Sequence, residues 1–262
     1  MIRLLIIILF VAFFTIWGVG FFLVNDLSLP TKDVKNFKRV LVIFPHADDE
    51  ILSTGGVLHQ LTNNGSDVSY LLLTQGERGT KTGEEDDDLK ETRVKEAKEV
   101  SKLLSIQNLI QKDLGDLTLK DKKGELYGII ADAIYDYQPD LIITYDLAGL
   151  YGHPDHMVVS QVVTDLVKTR YTQTKLWYIT YPTGVLSMIK LPTQMAANQE
   201  FMKLRAKPTV KVFVAPDIIA KVQGVYAYKS QYESIMESFP IKQIPLWIYA
   251  TLAPFEYFHE AN

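Results

Sequence analysis

Two short stretches hold the side chains best suited to chemistry, Pro45-His46-Ala47-Asp48-Asp49-Glu50 and Tyr151-Gly152-His153-Pro154-Asp155-His156. Each sets two nitrogen or oxygen donors three residues apart, His46 with Asp49 and His153 with His156, and together they use three of the five histidines. A hydrolytic metal centre needs about three protein ligands and one open position, where the ion lowers the pKa of water toward neutrality. His46, Asp49, His153 and His156 are four candidates for those three places. The one left over is free to face a substrate carbonyl and steady the oxyanion that develops on it. A carboxylate beside the ion but not bound to it would accept a proton from water and pass it to a leaving amine. Asp48, next to Asp49, stands in that position, and Asp155, between the two histidines, stands where it would orient an imidazole.

Simpler readings account for part of this pattern. A lone His-x-x-Asp near a strand end ordinarily means a cap or a surface hydrogen bond, and acids at a helix start favour the positive end of its dipole. That explains the sign of Asp48, Asp49 and Glu50 but not His46, and two such motifs at equivalent corners are hard to assign to chance. His59 and His259 have no partner motif and read as surface or core residues; Glu84 to Asp88 reads as a solvated loop and helix start. The chain has no cysteine, which removes disulfides, thiolate zinc sites and cysteine nucleophiles together. Any metal must then be held by nitrogen and oxygen, a donor set that suits zinc and also iron(II), cobalt or manganese. The net charge of −4 and the lack of a basic stripe exclude the electrostatic footprint of a nucleic-acid binder.

The elements that must position these residues alternate. Val40 to Phe44 reads as a buried parallel strand, Glu50 to Asn64 as a helix and Val68 to Leu73 as a second strand, one βαβ unit with His46 and Asp49 at its strand-to-helix corner. After a polar, glycine-punctuated stretch comes a helix with Val94, Ala97, Val100, Leu103 and Leu104 on one face. A helix over Gly124 to Tyr137 leads to a strand over Leu141 to Tyr145, which delivers the second motif. Met157 to Thr169 follows as helix, Leu176 to Thr180 and Val210 to Val214 as strands, and Asp217 to Tyr228 as helix. The expected fold is α/β, a Rossmann-like, mostly parallel sheet with helices on both faces. Thr183 to Lys207 lacks periodicity and reads as a loop or cap over the site.

Ahead of this domain, Leu4 to Val24 carries no charge and is rich in Ile, Leu, Phe and Val. Roughly 20 apolar residues suffice for a helix to cross a bilayer core, whereas a signal peptide's apolar region is only about 7 to 15 residues. The division expected is a transmembrane anchor over 1–25, a polar linker over 26–38 and a catalytic domain over 39–262, located at the cell membrane with a single pass. Lys32, Lys35, Lys38 and Arg39 after the span favour a cytoplasmic domain, while a first hydrophobic segment behind a minimal basic start is the pattern of an exporting signal anchor; both orientations stand.

The two motifs together resemble the LmbE-like/PIG-L family of metal-dependent de-N-acetylases. Thr74-Gln75-Gly76-Glu77-Arg78-Gly79 is similar to the family's T-x-G-E-x-G segment, Arg93-Val94-Lys95-Glu96-Ala97 to its R-x-x-E-A helix, and Lys221 to Gln231 to its late segment ending in Ser-Gln. Ala47 departs from the more usual proline, and Tyr228 stands where histidine is frequent. The resemblance implies that His46, Asp49 and His156 ligate Zn2+, that Asp48 is the general base and then acid, that His153 polarises the amide carbonyl with Asp155 orienting it, that Tyr151 adds a hydrogen bond to the oxyanion, and that Arg93 contacts substrate. The substrate it implies is an N-acetylglucosaminyl-type amino sugar, a small molecule or one linked to lipid. A related amidase acting on another acyl group, or a non-catalytic sugar-binding module, are the alternatives.

Overall fold

Aliphatic runs form strands covered on both sides: β1 (Arg39–Phe44), β2 (Asp67–Leu72), β4 (Leu141–Tyr145) and β5 (Lys175–Thr180). In the computed structural model, which describes residues 2–188, 190–191, 200–241 and 243–262, three shorter or less regular strands join them, β3 (Asn108–Gln111), β6 (Val210–Phe213) and β7 (Phe255–Glu260). They make one seven-stranded sheet in the order β3-β2-β1-β4-β5-β7-β6. The first five are parallel, and β7 runs antiparallel to both β5 and β6. From β1 the chain moves outward to β2 and β3, then returns to β4 on the other side of β1. The strand order therefore reverses between β1 and β4, and the crevice at their carboxyl ends is where an open α/β sheet binds its ligands.

Side chains alternate across β1. Val40, Val42 and Phe44 join the core beneath α2 (Asp49–Asn63), α3 (Asp87–Leu103) and the later helix Ile218–Ala227, while Leu41 and Ile43 join the core beneath α4 (Lys123–Tyr137) and the helix Pro154–Thr169. The expected mostly parallel, doubly covered sheet is thus present, with an N-terminal apolar helix, α1 (Ile2–Val24), ahead of it. The remaining helices are the turn α5 (Gly149–Gly152), α6 (Pro154–Thr169), α7 (Thr183–Met188), α8 (Ile218–Ala227), α9 (Tyr232–Ser238) and α10 (Leu246–Leu252).

Two strands go beyond the expectation, β3 and β7. Of the stretch 183–207, expected as a loop or cap, α7 and a 3-10 turn over Glu200–Leu204 are ordered into helix; residues 189 and 192–199 lie outside the described residues. The segment 26–38, expected as a linker, runs along β6, with Thr31 bridging Lys211 and Val34 fully buried in the core.

Candidate active site

The carboxyl ends of β1 and β4 bring the two motifs together. After Phe44 the chain turns sharply, with Asp48 in the left-handed region at φ 89°, and enters α2 at Asp49. A non-glycine residue there is strained. Its backbone N–H donates to the buried carboxylate of Glu50 (3.1 Å), which also accepts from the hydroxyls of Tyr70 (2.8 Å) and Tyr228 (2.6 Å). After β4, positive-φ residues Gly149, Leu150 and Gly152 form the turn that leads into α6. His153 caps α6, its Nδ1 accepting the N–H of Asp155 (3.3 Å), and Pro154 occupies the first helical turn.

Three side chains from these corners converge. His46 Nδ1 lies 3.2 Å from His156 Nε2 and 3.5 Å from Asp49 Oδ2, and His156 Nε2 lies 3.4 Å from Asp49 Oδ1. Ligands about 2.0–2.1 Å from a tetrahedral ion stand about 3.3–3.4 Å apart, so the three side chains lie at about the spacing that one small divalent cation would need, with a different Asp49 oxygen facing each ring. The hydrogen bonds behind the rings aim their lone pairs at the same point. His156 Nδ1 faces the Gly149 carbonyl oxygen at 3.2 Å, which requires N–H on that nitrogen and leaves Nε2 bare. His46 Nε2 faces the carboxylates of Asp116 (3.0 Å) and Asp155 (3.4 Å), which turns Nδ1 toward His156 and Asp49. Asp49 is held by the N–H of His46 (3.0 Å) and the hydroxyl of Tyr145 (2.7 Å), whose ring stacks on His156 at 4.2 Å.

Charge follows the same plan. Burial draws the His156 imidazole down to about 4, against the attraction of Asp49, so the ring is neutral as a metal ligand must be. Burial also opposes a charge on His46, but Asp116, Asp155 and Asp49 outweigh it and hold that ring well above the usual histidine range, so a cation taken up at Nδ1 would displace a proton from it. Burial likewise resists ionisation of Asp49, and its two histidines together with Tyr145 overcome this and keep it below the usual carboxylate range. Three carboxylates thus converge on His46, an excess of negative charge suited to a divalent cation. Asp48 differs. Burial pushes its carboxyl up to about 7, Arg93 works against that, and the neighbouring Asp49 charge adds to it. A group poised near neutrality is what proton transfer in both directions requires.

His153 is depressed well below the usual range by burial and by the neighbouring imidazoles of His156 and His46. Since its Nδ1 accepts from Asp155, the neutral ring carries its proton on Nε2 and presents a donor there. The Tyr151 ring meets His156 and His153 edge-on at 5.1 and 6.0 Å, and burial, reinforced by the Asp49, Asp48 and Asp116 charges, keeps its hydroxyl protonated.

Two expected residues occupy different settings from those the resemblance implied. The Asp155 carboxylate turns toward His46 and accepts the N–H groups of Leu117 (2.7 Å) and Leu119 (3.3 Å); what it offers His153 is its backbone N–H. Arg93 is 4% exposed, with its guanidinium donating to the Ala47 carbonyl (2.7 Å) and lying 3.6 Å from the Asp48 carboxylate, so it braces the first motif from behind. The supporting motifs interlock around it. Glu77 accepts from the N–H of Asp116 (2.7 Å), Arg78 N–H donates to Asp116 (3.3 Å), and Glu96 accepts from the N–H and hydroxyl of Ser230 (2.8 and 2.6 Å). Asp116 and Tyr145 are site residues that sequence reasoning missed. Asp116 stands alone in a polar loop, and Tyr145 reads as the last residue of an ordinary strand.

A family model described as GlcNAc-PI de-N-acetylase, PIG-L, matches residues 41–167. A probable N-acetyl-alpha-D-glucosaminyl L-malate deacetylase 2 from Bacillus anthracis is 31% identical over 141 residues, which cover 52% of this chain and 62% of that protein; the chain thus spans less than two thirds of that relative. The structure of the N,N'-diacetylchitobiose deacetylase from Pyrococcus horikoshii superposes with TM-score 0.59 at 20% identity, covering 86% of this chain and 84% of the other. A 4-carboxy-2-hydroxymuconate hydratase from Pseudomonas putida shares the fold at TM-score 0.55 and 18% identity, with 82% and 83% covered, so the fold alone does not select a reaction. With both motifs at the carboxyl ends of β1 and β4, the part of the chain from β1 into α6, residues 41–167, matches the PIG-L family model.

Proposed function

We propose that the protein is a metal-dependent hydrolase that removes the acetyl group from an N-acetylglucosaminyl-type substrate. The observation that carries this reading is the convergence of His46 Nδ1, Asp49 and His156 Nε2 within 3.2 to 3.5 Å of one another, with the Asp48 carboxylate left over beside them. A divalent ion held by those three residues, zinc being the expected one, would supply the Lewis acidity that makes water a nucleophile near neutral pH. Asp48 takes the proton that water gives up as the new C–O bond forms. His153 Nε2–H and the Tyr151 hydroxyl donate to the carbonyl oxygen as negative charge grows on it. When the C–N bond breaks, Asp48 returns its proton to the departing nitrogen, so that amide and water become acetate and free amine. Asp155 serves both histidines, fixing the tautomer of His153 through its backbone and steadying His46 through its carboxylate. Arg93 and Glu50 hold Asp48 in its strained turn.

The sugar assignment draws on the deacetylase relative and on the family description. We also read α1 as a single membrane span, because its 23 residues are long and apolar enough and its most apolar window is 0% buried against the rest of the chain. The substrate is then a small amino sugar or one carried on a lipid at that membrane.

The test is stoichiometric. Full-length protein, stripped of metal and reloaded with zinc, is offered a panel of N-acetylglucosaminyl compounds, and acetate and primary amine are measured together. One-to-one release by the reloaded protein, lost in Asp48→Asn with metal content unchanged, is the expected result. Release of a longer acid from N-acyl analogues, with no acetate from any N-acetyl compound, would point to an amidase of different acyl preference. Tight binding of the sugars with no release at all would make the protein a binding module.

A further inference from the structure

α1 is fixed to the domain at its carboxyl end. Asn25 is buried, its Nδ2 donating to the carbonyls of Leu252 (2.7 Å) and Phe21 (2.8 Å), and the Tyr257 hydroxyl donates to Asn25 Oδ1 (3.2 Å) while accepting the N–H of Asp26 (3.0 Å). The buried Lys211 ammonium donates to the carbonyls of Asp26 (3.3 Å), Leu27 (3.0 Å) and Leu29. Beyond that point Lys211 N–H donates to the Pro30 carbonyl (3.0 Å) and Lys32 N–H to the Lys211 carbonyl (2.8 Å), and Phe37 meets Trp177 edge-on at 5.3 Å. On α1 itself, Trp17 Nε1 donates to Thr251 of α10 (3.3 Å), Gly20 leaves room for the Leu252 side chain, and the Leu23 carbonyl abuts Gly184 of α7. So many directional contacts across so short a segment set the direction in which α1 leaves the domain.

The point of departure lies at the site's own end of the sheet. β7 pairs with β5 in the register Thr180 to Tyr257, so the start of β7 lies beside the carboxyl end of β5. The parallel strands β1 and β4 deliver His46 and His153 at the same end. Asn25 and Asp26 bond to Tyr257 there, and the segment 30–39 then runs back to the opposite end to begin β1. Two strand spacings of about 4.8 Å separate β4 from β7, so the site and the departure of α1 share one end of the sheet, about 10 Å apart sideways.

The helix beside that departure, α10, is apolar. α10 has no charged residue, and its Trp247 is 56% exposed; Ile241, in the loop ahead of it, is 53% exposed. Trp and Tyr favour the headgroup level of a bilayer, where a ring is half wetted. This patch is continuous with α1 through Trp17, Thr251 and Leu252, which identifies its occupant as the same bilayer that α1 enters.

We infer that α10, with Ile241 ahead of it, forms a membrane-docking surface that sets the domain, site end toward the lipid, in the headgroup layer. The inference rests on the reading of α1 as a span. It makes the bilayer surface the place from which substrate reaches the crevice, and it replaces a swinging tether with a seated domain.

The chain has no cysteine, so single spin labels can be placed cleanly. Phe10→Cys, Trp247→Cys, Ile241→Cys and Tyr135→Cys, each in the full chain, are labelled and reconstituted in phosphatidylcholine/phosphatidylglycerol vesicles. Accessibility to oxygen and to a water-soluble nickel chelate is then measured. Tyr135 is exposed near the end of α4, which leads into the amino end of β4, away from the site. Labels at 10, 247 and 241 should favour oxygen by several-fold over the label at 135. A label at 10 in lipid, with 247 and 241 as open to nickel as 135, would overturn the docking surface alone. A label at 10 in water would remove the span, and the docking surface with it.

Discussion

At the scale of single residues, the site is a set of side chains sorted by their neighbours into different charge states. Asp48 and Asp49 are adjacent in sequence, yet one is pushed up to about 7 by burial while the other is held low by two histidines and a tyrosine hydroxyl. In the proposed reaction the separation would give one carboxylate to a cation and the other to proton transfer. The His-x-x-Asp and His-x-x-His spacings made these residues legible in the sequence, but spacing alone left four donors for three places, and only the family resemblance singled out His153 as the one to leave free. Asp116 was not legible, because it lies 70 residues from His46 with no motif of its own and reaches the site only through the loop after β3. Its role can be measured. Asp116→Ala removes the partner 3.0 Å from His46 Nε2 and should weaken metal affinity about 10- to 100-fold in a chelator competition titration. Wild-type affinity in that variant would show that Asp155 alone orients His46.

At the scale of elements, the corners do what the strands and helices cannot. β1, β2, β4 and β5 were legible because each is an aliphatic run bounded by polar turns. β3 escaped notice because it is a four-residue edge strand with one exposed and three half-buried positions. β7 was hidden by a charge in its core-facing register. Glu256 is buried, accepting from the N–H groups of Gly56 (2.9 Å) and Val57 (2.8 Å) and from Lys221 Nζ (2.8 Å), so Phe-Glu-Tyr-Phe-His-Glu lacks the alternation that marks a strand. The turn before α6 shows how closely backbone and site are joined. Gly149 has φ +59°, and a Cβ there would lie 2.8 Å from the His156 Cβ and 2.9 Å from the Met157 backbone nitrogen. Gly149→Ala should therefore destabilise the fold by about 1–3 kcal/mol and displace His156, lowering the denaturation midpoint and the metal affinity together. A midpoint that falls while affinity stays at the wild-type value would separate the turn from the ligand it is held to position.

At the scale of the whole molecule, the two motifs lie 110 residues apart in the chain, counted from His46 to His156, and meet because the strand order reverses between β1 and β4. The Rossmann-like architecture was legible from the alternation of strands and helices. The seating of residues 25–38 was not, because its anchors are backbone carbonyls that receive Lys211 and an extended pairing with β6, neither of which leaves a pattern in a polar segment. A cation held between the two corners would tie them together across that distance, and this is the claim on which the catalytic reading depends. The direct measurement is the metal bound per chain, by elemental analysis after zinc loading and removal of free metal, for wild type, His46→Ala, Asp49→Ala, His156→Ala, Asp48→Asn and His153→Ala. The expected result is one equivalent in wild type, Asp48→Asn and His153→Ala, and a small fraction of that in the other three. A full equivalent retained by His156→Ala, or lost from Asp48→Asn, would contradict the account.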